Sequence, residues 1–195
     1  SIANALGYAK ARDLTNDKGN IVAVIGDGSL SGGLAMEALN NAGDFKGNLI
    51  ILVNDNQMSI AENHGGLYRN LAELRATNGQ AENNFFKTFG LDYKYLANGN
   101  DIESLIHLFE EVKDIDHPIV LHIHTEKGRG YQPALENKEA FHWHMPFDLE
   151  TGQSKVIDSG KSYSSVMLDY MDKKVSEGLP LVAINAAIPG IFGLK

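Results

Sequence analysis

The sequence predicts an α/β fold built on a doubly wound and mostly parallel sheet. Its strands are expected at three apolar, β-branched runs, residues 21–25, 49–53 and 119–125. Near-continuous hydrophobicity is typical of parallel strands that are buried on both faces. Helical segments separate the runs, and a strand, a helix and a second strand form a right-handed crossover. We therefore expect all three runs to be central strands of one sheet.

Helical spacing of apolar residues marks the elements that alternate with these strands. It occurs over residues 1–14, over 34–45 and over 101–115. The last segment opens with Asp101, a residue type that caps helix N-termini well. Helices and strands therefore alternate along the chain, as a doubly wound fold requires.

The composition divides the chain into three parts. Residues 1–148 carry the predicted sheet and form the main domain. Residues 149–162 are polar and contain two glycines, which is typical of a linker. Residues 163–195 are predicted to begin a second α/β domain, with an amphipathic helix over 164–178 and a buried strand over 179–188. We expect both ends of the chain to belong to a longer protein.

The overall composition argues against several classes of partner. The 17 basic and 25 acidic residues give a formal net charge of −8, whereas nucleic-acid binding requires a basic face. No apolar run approaches the ~20 residues needed to cross a bilayer. The absence of cysteine removes disulfides and thiolate metal sites and suits a reducing compartment. We expect a cytoplasmic protein with no nucleic-acid or membrane partner.

A glycine-rich turn follows the first predicted strand. Glycines at positions 26, 28, 32 and 33 surround Asp27, and a helix comes next. Glycine permits positive φ and a close approach of backbone to ligand, and a helix N-terminus attracts anions. The turn therefore predicts a phosphate site, although such turns also occur in α/β folds without a ligand. Its glycine spacing fits neither a P-loop nor the dinucleotide fingerprint.

Oxygen-rich side chains follow the second predicted strand, over residues 54–58. Asn56 comes 29 positions after Asp27 (56 − 27). Adjacent strands lie ~4.8 Å apart, so side chains from two neighbouring strand ends can reach a single ion. Carboxylate, amide and carbonyl oxygens suit Mg²⁺, which usually completes its octahedral shell with phosphate oxygens. Asp27 and Asn56 are therefore predicted to hold a diphosphate through a metal.

Several longer motifs identify a family. They are GDG, EALNNAGD, NDNQMSIAEN, LHIHTEKGRGYQPA and FHWHMPFD. Together they resemble the 1-deoxy-D-xylulose-5-phosphate synthase family over nearly the whole chain. The resemblance implies thiamine diphosphate and Mg²⁺ as cofactors, pyruvate and glyceraldehyde 3-phosphate as substrates, and a homodimer. It makes residues 1–148 the diphosphate- and magnesium-binding domain and residues 163–195 the start of the pyrimidine-binding domain.

The resemblance also implies roles for individual residues at the two strand ends. Asp27 and Asn56 would bind Mg²⁺ through their side chains, and Met58 through its carbonyl oxygen. Gly28 and Ser29 would present backbone N–H groups to the diphosphate. All five residues would then belong to one cofactor site.

Two further residues acquire a role from the resemblance. Lys127 would contact the diphosphate as a point charge, although a lysine at a strand end is also commonly a solvated surface charge. His142 would lie near the reactive carbon of the cofactor as an active-site residue. Together with His122, His124 and His144 it leaves a zinc site as an alternative, which the absence of thiolates and of an HExxH pattern disfavours.

The sequence also departs from the family pattern. The family commonly has Asp-Gly-His-Asp where this chain has Asn-Gly-Asn-Asp at residues 98–101, which leaves the role of Asn100 open. The glutamate that acts on the aminopyrimidine ring and the arginines that hold the substrate phosphate would lie beyond Lys195. The chain is therefore not expected to turn over by itself. A transketolase-like subunit with another acceptor and a non-catalytic cofactor-binding module stay open as alternatives.

Overall fold

The computed structural model describes residues 1–156 and 160–185 of the chain. Two compact units contain them, Ser1–Lys127 and Gly128–Lys195. The helices are α1 (Ile2–Thr15), α2 (Asp27–Leu30), α3 (Gly33–Gly43), α4 (Gly66–Ala76), α5 (Ile102–Val112), α6 (Gln132–Glu136) and α7 (Tyr163–Ser176). The strands are β1 (Val22–Gly26), β2 (Leu49–Asp55), β3 (Asp92–Leu96) and β4 (Pro118–His124).

The strands of the first unit form one parallel sheet in the order β1-β2-β4-β3. Helices pack on both of its faces, and successive residues of a strand point to opposite sides. Along β2, Ile51 and Val53 pack in a core cluster with α1, α3 and α4, whereas Ile50 packs in a second cluster with α5. The predicted doubly wound α/β fold is confirmed.

The three predicted strands all form, but one of them is not central. β2 and β4 are buried along nearly their whole length. In β1, Val22 and Val24 are 43% and 57% exposed, and within the described residues β1 pairs with β2 alone. The expectation of a central strand is therefore wrong for β1. An apolar run indicates the tendency of a strand to be buried, but the surrounding structure decides whether both faces are covered.

Two elements of the first unit carry a weaker sequence signal. β3 has the sequence DYKYL, in which Asp92 and Lys94 alternate with tyrosines, and it forms an edge of the described sheet. Charged residues are typical of edge strands. α4 buries Leu71 and Leu74 against the core and shows no buried residue elsewhere along its length. Both elements matter for the site, because their side chains reach beneath it.

The second unit contains the predicted amphipathic helix as α7, which begins with a capping box at Ser162. None of the residues of α7 is buried. The strand expected over 179–188 is not present in its described part, because residues 179–184 are exposed and form no regular structure. A single extended segment needs a neighbouring strand for its hydrogen bonds, and the described residues offer none. Residues 186–188 lie outside the described residues.

The boundaries predicted for the domains, at residues 148 and 162, stay predictions. In the described ranges, no helix is long and apolar enough to cross a bilayer.

Candidate cofactor site

The carboxyl ends of β1, β2 and β4 meet at one edge of the sheet. Gly26 of β1 pairs with Asn54 of β2, and Asp55 of β2 pairs with His124 of β4. The residues that follow these strands therefore emerge side by side, which is where open α/β sheets bind ligands. The Asp27 turn and the loop after β2 begin there as neighbours, as the sequence predicts.

Asp27 is the first residue of α2 and is only 2% exposed. Its Oδ1 accepts a hydrogen bond from the Gly28 amide at 2.7 Å, whereas its Oδ2 is buried without a hydrogen-bond partner among the described residues. Burial raises the pKa of Asp27 to about 6, against the effect of the Gly28 amide, and the Asp55 carboxylate adds to the rise. A buried acceptor without a partner is costly. A bound cation would remove that cost.

Asp55, at the end of β2, is as deeply buried but has partners on several sides. Its Oδ2 pairs with Nη1 of Arg75 and lies 2.9 Å from Nε2 of His122, and its Oδ1 accepts from the Gln57 amide at 3.0 Å. Burial by itself raises the pKa of Asp55, but the His122 hydrogen bond and the charge of Arg75 outweigh it and hold the pKa at about 2. Asp55 is therefore a satisfied carboxylate.

His122 continues this polar network towards β3. An ionised carboxylate can only accept, so Nε2 of His122 carries the proton towards Asp55. Nδ1 lies 2.8 Å from the hydroxyl of Tyr93 and accepts a hydrogen bond from it when the ring is neutral. Both ring nitrogens of this fully buried side chain are thus engaged in the core.

Sequence reasoning missed the network around Asp55, although a signal existed. Asp55 shares one face of β2 with Ile51 and Val53, because strand residues alternate between faces. A charge on an apolar, buried face requires a partner of opposite charge. Arg75 supplies it from α4, and only the fold brings that helix to the strand end.

The loop after β2 folds back over the start of α2. Asn56 Oδ1 accepts from the Met58 amide at 3.2 Å, and Met58 forms an isolated antiparallel bridge with Glu62. A Cβ added at Gly28 would lie 2.6 Å from Cβ of Ser59. Glycine is therefore required at position 28 because the loop approaches the α2 backbone so closely.

Lys127 reaches the same loop from the end of β4. Its Nζ donates to the Ser59 carbonyl at 2.7 Å. The Glu126 amide donates to Oδ1 of Asn100 at 2.7 Å, and the Gly99 amide donates to the His124 carbonyl at 2.8 Å. The departure from the family pattern at Asn100 thus has a structural role, since its side chain fixes the backbone next to Lys127.

The other predicted residues are placed as follows. Ser29 lies in α2 and lines a cavity of about 310 Å³ along β1 together with Gly26 and Gly32. The Gly28 amide, predicted to face a diphosphate, is occupied by Asp27. His142 ends a 3₁₀ turn, Ala140–His142, in the second unit. Its catalytic role stays a prediction.

The residues present fit a magnesium ion in their chemistry. Asp27 offers a buried carboxylate oxygen, and Asn56 and Met58 lie at the neighbouring strand end with amide and carbonyl oxygens. Such oxygens are hard ligands of the kind that Mg²⁺ takes. The part of the chain that is described contains no cluster of three or more His, Cys, Asp or Glu side chains suited to a metal. A site with one carboxylate needs further oxygens, which a diphosphate can provide.

Comparison with known proteins identifies the family. A family profile described as 1-deoxy-D-xylulose-5-phosphate synthase matches residues 1–83 and 77–125. The chain belongs to the 1-deoxy-D-xylulose-5-phosphate synthase family. The family expected from the motifs is confirmed, and it is a family of thiamine diphosphate-dependent, transketolase-type transferases.

Curated relatives agree along the whole chain. The 1-deoxy-D-xylulose-5-phosphate synthase of Clostridium beijerinckii is 37% identical over 100% of this chain, and 1-deoxy-D-xylulose-5-phosphate synthase 1 of Geobacter metallireducens is 39% identical over 100%. The Listeria monocytogenes synthase is 38% identical over 97%. The chain spans 37%, 37% and 32% of the length of these three relatives, respectively.

Solved structures support the fold. The transketolase of Campylobacter jejuni aligns with a TM-score of 0.53 and 22% identity, over 90% of this chain and 30% of that chain. A transketolase of Pichia stipitis aligns with a TM-score of 0.51 and 23% identity, over 67% of this chain and 20% of that chain. At this identity the likeness concerns the fold alone.

Proposed function

We propose that this member of the 1-deoxy-D-xylulose-5-phosphate synthase family binds Mg²⁺ and the diphosphate of thiamine diphosphate at the carboxyl edge of its sheet. The observation that carries the proposal is the buried Oδ2 of Asp27, which has no hydrogen-bond partner in the described part of the chain. It lies next to the end of β2, where the Asn56 loop begins. A buried, unpaired carboxylate oxygen is a feature that a folded protein retains where a cation is bound.

The proposed ligands come from the two strand ends. Asp27 and Asn56 bind Mg²⁺ with side-chain oxygens, and Met58 binds it with its carbonyl. The Asn56 side chain exchanges its 3.2 Å hydrogen bond from the Met58 amide for the metal. Phosphate oxygens and water would supply the further ligands that Mg²⁺ usually takes.

The proposed diphosphate contacts lie around this ion. Ser29 offers its backbone N–H group from α2, and Gly28 offers its own when Asp27 turns to the metal. Lys127 donates a charge-assisted hydrogen bond, for which it gives up its contact with the Ser59 carbonyl. His142 is proposed as an active-site residue.

The proposed reaction follows from the family. When bound, thiamine diphosphate would supply a carbon nucleophile for the keto carbon of a 2-keto acid and would accept the electron pair released as CO₂ leaves. The substrates are pyruvate and glyceraldehyde 3-phosphate, and the products are 1-deoxy-D-xylulose 5-phosphate and CO₂. The protein acts as a cytoplasmic homodimer, and this chain, which supplies the diphosphate and magnesium half, does not turn over by itself.

Thermal unfolding with and without Mg²⁺ and thiamine diphosphate tests the binding site. A ligand at 100 times its dissociation constant stabilises the folded chain by about 2.7 kcal/mol, so the melting temperature should rise. Asp27→Ala should remove the rise, whereas Asp114→Ala, at an exposed position after α5, should retain it. The same response in Asp27→Ala and in the unaltered chain would refute the metal assignment.

A further inference from the structure

Arg75 is a charged residue that lies beneath the proposed cofactor site without belonging to its predicted ligands. It stands in the last turn of α4, and its side chain is only 17% exposed. Its Nη1 forms an ion pair with Oδ2 of Asp55, whose side chain is 1% exposed. A buried ion pair of this kind is costly to break, because removal of one partner leaves the other charge buried and uncompensated.

The contacts of Asp55 hold its carboxylate in one orientation. Oδ2 faces Arg75 and Nε2 of His122, and Oδ1 accepts from the amide of Gln57, the residue that follows Asn56. Gln57 has a φ of 70°, in the left-handed region that non-glycine residues seldom adopt. The ion pair therefore supports a strained turn between two of the proposed metal ligands.

The charges at the two strand ends differ because of this pair. Asp27 and Asp55 stand at neighbouring strand ends, and both are almost fully buried. Arg75 compensates the negative charge of Asp55, whereas Oδ2 of Asp27 has no hydrogen-bond partner in residues 1–156 and 160–185. Of these two carboxylates, only that of Asp27 is thus left uncompensated by the described residues and available to a ligand.

The number of uncompensated charges decides which form of the cation binds. A Mg²⁺ ion bound to a diphosphate carries a net negative charge, so a second uncompensated carboxylate would repel the pair. A bare divalent cation would instead be attracted by two carboxylates. A site with a single uncompensated carboxylate therefore favours the cation that arrives with its diphosphate.

We propose that Arg75 is a positioning residue that neutralises Asp55 and thereby makes cation binding at Asp27 depend on the diphosphate. The inference rests on the proposed function, because it assumes that the Asp27 site binds Mg²⁺ and thiamine diphosphate. It concerns a residue outside the ligand set, which acts on the cofactor through Asp55.

The test compares two affinities in the Arg75→Met variant at pH 8. Calorimetric titration with Mg²⁺ and thiamine diphosphate together should give an affinity about 10- to 100-fold weaker than in the unaltered chain, the range typical of residues that support a metal ligand. Binding of Mn²⁺ alone, followed by electron paramagnetic resonance of the free ion, should become stronger. A purely structural role would weaken both affinities together, so opposite changes are the distinguishing result.

Two controls separate charge from packing. Arg69→Met changes an exposed arginine on the same helix and should leave both affinities unchanged. Asp55→Asn combined with Arg75→Met removes both buried charges and should return both affinities towards those of the unaltered chain. If Arg75→Met does not fold, the double variant still allows the test, because it leaves neither charge of the pair buried without its partner.

The outcomes distinguish this inference from the proposed function. Failure of the unaltered, folded chain to bind Mg²⁺ with thiamine diphosphate would overturn the proposed function. Normal binding by the unaltered chain, with both affinities weakened or both unchanged in Arg75→Met, would overturn the role of Arg75 alone. Failure of the folded double variant to recover binding would also overturn it.

Discussion

Asp27 and Asp55 are two buried carboxylates at neighbouring strand ends, yet their surroundings differ completely. Asp55 is satisfied by Arg75, His122 and the Gln57 amide, and its pKa is held at about 2. Asp27 has an oxygen without a partner in the described part of the chain, and its pKa is raised to about 6. Asp55 therefore contributes to the structure of the strand end, whereas Asp27 is the residue at which we propose that the ligand binds.

This difference teaches that burial alone does not indicate function. A buried charge with a complete set of partners contributes to the stability and geometry of the strand end. A buried charge without a partner of opposite charge is instead a candidate binding site for a charged ligand. The comparison can be tested by changes that affect one carboxylate and spare the other.

The largest expected effect is on stability, from Asp55→Ala. The change leaves Arg75 and His122 buried without their carboxylate, which typically costs about 3–5 kcal/mol. Urea unfolding of the cofactor-free chain measures the loss. Asp114→Ala at the surface should cost less than about 0.5 kcal/mol. An equally small effect for Asp55→Ala would contradict the structural role assigned to Asp55.

The next effect concerns the ligand and is expected from Asp27→Asn. The amide cannot supply the charge that the cation needs, so the stabilisation by Mg²⁺ and thiamine diphosphate, about 2.7 kcal/mol at 100 times the dissociation constant, should disappear. The cofactor-free chain should be as stable as before or more stable, because a desolvated charge has been removed. Loss of stability without cofactor would place Asp27 in the same class as Asp55.

The pH dependence should separate the two carboxylates further. Asp27 must be ionised to bind a metal, and its pKa is about 6. The affinity for Mg²⁺ with thiamine diphosphate should therefore fall as the pH drops through 6, by about tenfold per unit below it. Asp55 stays ionised throughout this range.

The same pKa predicts the opposite trend for the stability of the cofactor-free chain. The pKa of Asp27 is raised in the folded state, so the folded chain binds the proton more tightly than the unfolded chain does. The contribution of Asp27 to stability should therefore decrease as the pH rises from about 4 to about 6. Calorimetric titrations between pH 5 and 7 measure the affinity, and unfolding curves between pH 4 and 7 measure the stability. An affinity independent of pH would refute the first trend, and a stability that does not decrease relative to Asp27→Asn would refute the second.

The smallest effect is expected from Asn100→Ala. The change removes the acceptor for the Glu126 amide, an exposed hydrogen bond worth about 1 kcal/mol or less. Lys127 should lose part of its fixed position, so the affinity for thiamine diphosphate should weaken while Mn²⁺ binding without diphosphate stays unchanged. Asn98→Ala in the same loop provides the control. Equal effects of the two changes would argue against a specific role for Asn100.

Much of the fold could be predicted because the signals are local. The apolar runs at β2 and β4 and the helical spacing of α1, α3 and α5 depend only on neighbouring residues. The sequence correctly predicts β1 as a strand but not the exposure of one of its faces, since exposure depends on what covers the strand. The prediction of a strand after α7 was wrong in its described part. Strand formation also depends on the surrounding structure, because an extended segment needs a neighbouring strand for its hydrogen bonds.

The sequence by itself determined the family, the parallel α/β fold and the candidate ligands Asp27, Asn56 and Met58, because short motifs and residue periodicity carry that information. Only the tertiary structure decided that Asp55 is paired, whereas Oδ2 of Asp27 has no hydrogen-bond partner among the described residues. The residues responsible, Arg75 and His122, lie 20 and 67 positions from Asp55 along the chain. The alternation along β2 indicates that Asp55 needs a partner, but neighbouring residues do not reveal which one, since the pairing exists only when α4 and β4 pack around the end of β2.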